Sequence, residues 1–266
     1  MSPDLSLSVA ARDGIALRTH RWPAVGAPRG HLLLVHGIAE HAARYDHVAA
    51  RFATAGLETQ AFDLRGFGGS GGERAYIARW SVYHDDLEDR LEAVRAVAGD
   101  LPVILYGHSM GALIALGYML ADRPRLQPDR LVLSAPAIDS PVAGWKRMLA
   151  PALGHALPHL RIANDLAAGG LSRDPAVEAA YRSDPLNTHT TTARLGMELF
   201  REQARVARRL GSLDRLPVPT YVLHGADDRI VPGSASARLA GKELVTRRVY
   251  PGMRHETHNE IGVNGV

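Results

Sequence analysis

An apolar run, Val103 to Tyr106, passes into a helix-period segment, Met110 to Ala121, across the pentad Gly107-His108-Ser109-Met110-Gly111. A strand that becomes a helix over so few residues needs a very tight turn. The serine's flanking positions then have almost no room for side chains, which accounts for Gly107 and Gly111. The serine also falls at the N-terminus of the following helix, where free N–H groups and the helix dipole favour negative charge.

The strand–turn–helix unit is one of a series. His31 to Val35, Thr59 to Asp63, Leu131 to Ser134, Tyr221 to His224 and Arg247 to Tyr250 read as short strands, each closed by Gly, Asp, Ser or Pro. His31 to Val35 is apolar throughout, as expected of a strand covered on both faces. Helix-period segments lie between strands, at Tyr45 to Ala55 and Trp80 to Ala98. Leu5 to Ala11 and Ile15 to Trp22 flank Asp13-Gly14, a hairpin signal. The expected fold class is α/β: a mostly parallel central sheet with helices on both faces. The stretch from about 139 to 190 breaks the rhythm with five prolines and short apolar helical pieces, and contains no good strand. It is expected to be a helical cap over the strand ends, inserted into a single domain spanning 1–266.

The pentad in this setting resembles the nucleophile turn of the α/β-hydrolase fold, where an acid and a histidine follow the serine in chain order. A serine hydroxyl is a weak nucleophile until a base takes its proton. After the strand ending at His224 come Asp227 and Asp228, two adjacent carboxylates; Asp228 is the preferred acid and Asp227 the alternative. After the strand ending at Tyr250 comes His255, the candidate base, with His258 as its competitor. An oxyanion hole needs two backbone N–H groups, and Met110, next after the serine, supplies one. The loop after Val35 should supply the other, with Ile38 as the chosen donor.

Several segments together resemble monoacylglycerol lipases and their bacterial lysophospholipase-like relatives. They are His36-Gly37-Ile38-Ala39-Glu40-His41-Ala42-Ala43-Arg44-Tyr45, the loop Asp63 to Gly72, the pentad itself, Ala180 to Leu186, and Tyr250 to Glu256. The likeness runs from about Leu32 to Glu260 with the motifs in matching order. It implies a carboxylic ester hydrolase of the α/β-hydrolase fold, with Glu40, Arg44, His108, Tyr181 and His258 around a glycerol head group. Read from the residues alone, Glu40 and Arg44 also suit a helix-entry ion pair at i, i+4 spacing. The resemblance further implies a long final helix, which Gly262 and Gly265 discourage here.

In the cap, Trp145, Met148, Leu149, Leu153, Leu157 and Ile162 recur at roughly helical spacing, broken by Pro151 and Pro158. Most should pack onto the main domain. Others are candidates for an acyl tunnel, or for transient contact with a membrane surface.

Composition narrows the rest. There is no cysteine, so disulfides, thiolate catalysis and Cys-based metal sites are excluded. No metal or other cofactor is expected, since the histidines lack ligand spacing; His255-Glu256-Thr257-His258 resembles one only superficially. A net charge of +3 without a dense basic run argues against nucleic acid. Met1 to Asp4 carries no secretory pattern and no apolar segment approaches bilayer length, so a cytoplasmic enzyme, peripheral to membranes at most, is expected. The favoured activity is monoacylglycerol hydrolysis through an acyl-enzyme on Ser109. Lysophospholipase or general carboxylesterase activity comes next, and a non-catalytic ligand-binding homologue is the rival of a different class. An aspartate-nucleophile dehalogenase or epoxide hydrolase is disfavoured by Ser109.

Overall fold

In a computed structural model of the chain, which describes residues 4–164, 166 and 169–262, eight strands form one sheet. They are β1 (Asp4–Ala10), β2 (Ala16–Trp22), β3 (Gly30–Val35), β4 (Leu57–Phe62), β5 (Val103–His108), β6 (Arg130–Ser134), β9 (Arg215–Gly225) and β10 (Glu243–Tyr250). Two short strands, β7 (Arg161–Ala163) and β8 (Thr190–Thr192), pair elsewhere as an antiparallel ribbon. The order across the main sheet is β1-β2-β4-β3-β5-β6-β9-β10. β1 and β2 run antiparallel to their neighbours, and the other strands pair in parallel.

The helices are α1 (Asp46–Thr54), α2 (Ser81–Ala98), α3 (Met110–Met119), α4 (Gly144–Ala156), α5 (Pro175–Ser183), α6 (Ala193–Gly211) and α7 (Gly233–Ala237). The apolar residues of β3 divide by parity, as a two-sided strand requires. Leu33 and Val35 join the core under α2 and α3, while Leu32 and Leu34 join the core under α1. Full burial of each such leucine is worth about 2 kcal/mol. All ten residues of α3 are buried, so this helix is enclosed rather than amphipathic.

The sheet, the three helix-period segments and the hairpin at Asp13-Gly14 match the sequence reading. The cap region departs from it. β7 lies where no good strand is expected, and Ile162 is on that strand rather than on a helix. β7 is three residues long, too short to leave a periodic signal. Pro151 does not break α4, which runs through it to Ala156; a proline there removes one backbone hydrogen bond. The cap residues expected to pack inward mostly do not. Trp145, Met148, Leu149, Leu157 and Ile162 are exposed. α4 instead meets α6 through its small residues: a Cβ on Gly154 would sit 2.7 Å from that of Met197. Helix α6 is absent from the sequence reading, and it carries part of both the core and the cap contact. No helix among the described residues is long and apolar enough to cross a membrane. The readings made on Met1 to Pro3 and on Val263 to Val266, including Gly265, lie outside the described residues.

Candidate active site

Ser109 joins β5 to α3 with φ 52° and ψ −117°, a conformation that a non-glycine residue adopts only under constraint. The constraint is visible around it. A Cβ on Gly111 would overlap the carbonyl oxygens of Val35 and His36, and one on Gly107 would sit 2.6 Å from the Gly111 carbonyl oxygen. The Ser109 N–H donates to Ser134 O at 2.9 Å, and its carbonyl accepts from Ala137 N at 3.2 Å. The hydroxyl is thereby fixed above the carboxyl end of the sheet.

His255 Nε2 lies 2.9 Å from Ser109 Oγ, and His255 Nδ1 lies 2.8 Å from Asp228 Oδ2. The other oxygen of Asp228 accepts the N–H groups of Ile230 (2.8 Å) and Val231 (2.9 Å). Burial opposes ionisation of Asp228, but the two imidazoles and these donors outweigh it and hold the carboxyl below its ordinary range. His255 moves the other way. Burial lowers its proton affinity, yet the Asp228 charge and hydrogen bond raise it above the ordinary 6.5 overall. Asp227 is exposed and its N–H is tied to Met253 O, so of the two adjacent carboxylates only Asp228 meets the histidine.

The Ile38 and Met110 N–H groups have no acceptor among the described residues, and both residues border the space around Ser109. The loop carrying Ile38 is held firmly. His36 Nε2 accepts the Leu64 N–H at 2.8 Å, and its Nδ1 faces Gly37 O at 2.7 Å. Glu40 Oε1 accepts both the Gly37 N–H (2.6 Å) and the Tyr45 hydroxyl (2.7 Å). Ala39, at φ 66°, turns its carbonyl toward α5 and the residues after it, where the Tyr181 hydroxyl and Thr188 N–H donate to it at 3.0 Å each.

Two spaces meet at the serine. One is a largely apolar cavity of about 660 Å³ between the sheet ends, α4 and α6, lined in part by Leu149, Leu153, Met197, Leu199 and Phe200. The other is a recess of about 20 Å³, with room for about one water, bordered by both charged and apolar side chains. Four of the five expected head-group residues, Glu40, Arg44, His108 and Tyr181, border that recess. Their polar atoms are largely engaged with one another. Arg44 pairs with Glu40 and with Glu256, the latter at 2.8 and 2.9 Å, and its guanidinium lies over the Tyr181 ring. The ion-pair reading of Glu40 and Arg44 is therefore also met. His108 Nδ1 lies 3.1 Å from Ser134 Oγ, and burial holds its ring well below its ordinary proton affinity.

His258 is the exception. The single turn Thr257–Asn259 stacks its ring on Tyr45, 4.9 Å between centroids, outside the recess. Two contributors escaped the sequence reading. Glu256 appears there only within a motif, and its signal is adjacency to His255. His224, next to Asp228 in space, is marked only by ending a strand before Gly225. Among the described residues, no group of three His, Asp or Glu side chains is arranged to hold a metal ion.

Comparison with known proteins agrees with this geometry. The Hydrolase_4 family, described as serine aminopeptidase S33, matches residues 26–262. A monoacylglycerol lipase of Mycolicibacterium smegmatis is 36% identical over 259 residues, covering 95% of this chain and 90% of that protein. Human monoglyceride lipase is 29% identical over 255 residues, covering 94% and 82%. The crystal structure of a Paleococcus ferrophilus monoacylglycerol lipase superposes with a TM-score of 0.79 at 28% identity, covering 92% of this chain and 93% of that one. A soluble variant of Saccharomyces cerevisiae monoglyceride lipase, in complex with a substrate analogue, reaches a TM-score of 0.88 at 24% identity, covering 98% and 91%. That last likeness is one of fold.

Proposed function

Because this chain belongs to the Hydrolase_4 family of serine hydrolases, we propose that Ser109, His255 and Asp228 are its nucleophile, base and orienting acid, and that its substrate is a monoacylglycerol. The chain is a serine hydrolase acting on esters. In the proposed cycle, Ser109 Oγ attacks the ester carbonyl as His255 Nε2 takes its proton. The Ile38 and Met110 N–H groups receive the oxyanion, a contribution of about 3 kcal/mol for each donor. His255 then protonates the departing glycerol oxygen. The same base activates water against the acyl-enzyme, releasing the fatty acid, while Asp228 fixes the imidazole tautomer.

The observation that carries the substrate reading is the junction at Ser109 between an apolar cavity of about 660 Å³ and a small recess bordered by Glu40, Arg44, His108, Tyr181 and Glu256. An acyl chain suits the first and a small polyol the second. The charges in the recess favour an uncharged head group. Arg44 is already engaged by two carboxylates, which disfavours a glycerophosphate. Glu40 and Glu256 are in turn engaged by Arg44, which disfavours the free amino group that an aminopeptidase must bind. Leu166 and Leu171, which border the recess, belong to the stretch expected to act as a cap over it. We read residues 139–190 as that cap. Its helix α4 offers Trp145 (61% exposed), Met148 (81%) and Leu149 beside Lys146 and Arg147, a face suited to transient contact with a lipid surface.

The test compares a medium-chain monoacylglycerol, a lysophospholipid and a short nitrophenyl ester, with wild type and Ser109→Ala. Preference for the monoacylglycerol with an inactive variant supports the reading. Turnover of the short ester alone removes the lipase assignment. A folded protein that cleaves nothing turns the reading toward ligand binding.

A further inference from the structure

His224 lies at the penultimate position of β9 and is fully buried, four residues before Asp228. Its Nε2 lies 3.0 Å from Val231 O and 3.1 Å from Asp228 Oδ2. Both partners are acceptors, so Nε2 carries the hydrogen. Nδ1 has no partner and is buried, which a neutral ring tolerates better than a charged one. Asp228 Oδ2 thus stands between two imidazoles, His255 Nδ1 at 2.8 Å and His224 Nε2 at 3.1 Å, while Oδ1 takes the two backbone N–H groups.

From this geometry we infer that His224 is a positioning residue for the catalytic acid, holding the carboxylate oxygen that orients His255 and tempering the basicity passed on to it. The inference rests on the reading of Asp228 and His255 as acid and base. Two effects follow from the shared oxygen. With the His255 and His224 rings on two sides of Oδ2 and Oδ1 tied to two N–H groups, the carboxylate is held in place, and the hydrogen bond from His224 to Val231 O closes the loop 225–231 around it. The partial positive charge at His224 Nε2, 3.1 Å from Oδ2, also offsets negative charge there, so the His255 imidazolium is stabilised less than by a carboxylate that faces it alone. The charged and titratable groups that bear on this pair are Asp228 in the same loop, His108 on β5, and Glu40 and Glu256 beside His255.

The experiment is the pH profile of kcat/KM on nitrophenyl butyrate for wild type, His224→Leu and His224→Gln, with Ser109→Ala alongside. Leucine removes the donor. Its acid limb moves to higher pH by about half a pH unit, roughly threefold in proton affinity, and kcat falls about tenfold with KM little changed. Glutamine keeps an N–H within reach and retains the wild-type limb. A limb unmoved in the leucine variant, or moved equally in both, overturns the inference. Nitrogen-15 shifts of the wild-type histidines decide independently of how the variants fold. His224 is expected to carry its hydrogen on Nε2, toward Val231 O. A His224 with its hydrogen on Nδ1 overturns it. Full turnover by Ser109→Ala would instead overturn the serine-hydrolase reading itself, so the two failures are distinguishable.

Discussion

Arg44 and Glu256 form a two-point ion pair at 2.8 and 2.9 Å, and Glu256 is the residue immediately after His255. The same guanidinium pairs with Glu40, whose other oxygen takes the Gly37 N–H. One cation therefore binds the loop expected to hold the oxyanion to the loop that carries the base. The relative position of the two depends on it.

Arg44→Met is expected to cost about 3–5 kcal/mol in denaturant unfolding, because it leaves two buried carboxylates without a cation. Activity on a short ester should fall as well. Adding Glu256→Gln should recover part of the stability. An Arg44→Met variant as stable as wild type would mean that solvent reaches this cluster.

Acid should destabilise the protein in two overlapping windows. Glu256 is held down to about 2 by Arg44, so its contribution is present above the ordinary 4.5 and is lost as pH falls toward 2. Burial holds His258 down to about 3, and the neutral ring is the one the fold accepts. Its contribution is present above the ordinary 6.5 and is lost between there and 3. A Tm series from pH 7 to 3 should show a decline starting near 6, and His258→Gln should remove the upper part of it.

The His255 imidazole binds its proton more tightly than an ordinary histidine. The acid limb of kcat/KM for wild type should therefore lie above pH 6.5, with activity rising through it as the base is freed. Asp228→Asn removes the cause, and its residual activity should be lower by a factor of about 10⁴, as for loss of the orienting acid in other serine hydrolases.

Gly196 borders the large cavity, and a Cβ placed on it meets nothing within 4 Å. Gly196→Phe should therefore fold, with a helix-propensity gain of a few tenths of a kcal/mol. Its ring would occupy space now open to an acyl chain. Turnover of a long-chain ester should drop about tenfold or more while a butyrate ester is untouched. Equal loss on both substrates would place the acyl chain elsewhere.

Met148 is 81% exposed, and Met148→Glu on α4 should weaken adsorption to lipid vesicles without changing rates on a soluble ester. Equal vesicle binding in a flotation assay would remove α4 from any role at the interface.

The elements most legible in the sequence are those whose physics is local. Gly107 and Gly111 announce the turn because any side chain there would strike backbone, and β3 announces itself because both its faces are covered. Motif and chain order point to Asp228 and His255, with Asp227 and His258 as alternatives, and in space His255 faces both Ser109 and Asp228. What eluded the sequence depends on distant partners. β7 exists only through pairing with β8, whose nearest partner lies 27 residues later (Ala163 with Thr190), and Ile162 follows it into a strand. The inward packing of the cap rests on Ala150 and Gly154, which carry no hydrophobic signal, rather than on its large apolar residues. His258 carries the expected residue type, but a single turn directs its ring behind Tyr45. The partnership of His224 with Asp228 becomes visible only once the loop closes.

Ser109 directly follows β5, near the middle of the sheet, and the proposed base that faces it lies 146 residues further along the chain. Every strand from β5 to β10 must be in register before that imidazole reaches the hydroxyl. While the chain is being synthesised, the serine is therefore an ordinary alcohol, inert toward the esters around it. Reactivity requires the loop that carries His255 to be docked, so an acylating reagent that labels Ser109 counts molecules in which that loop is in place.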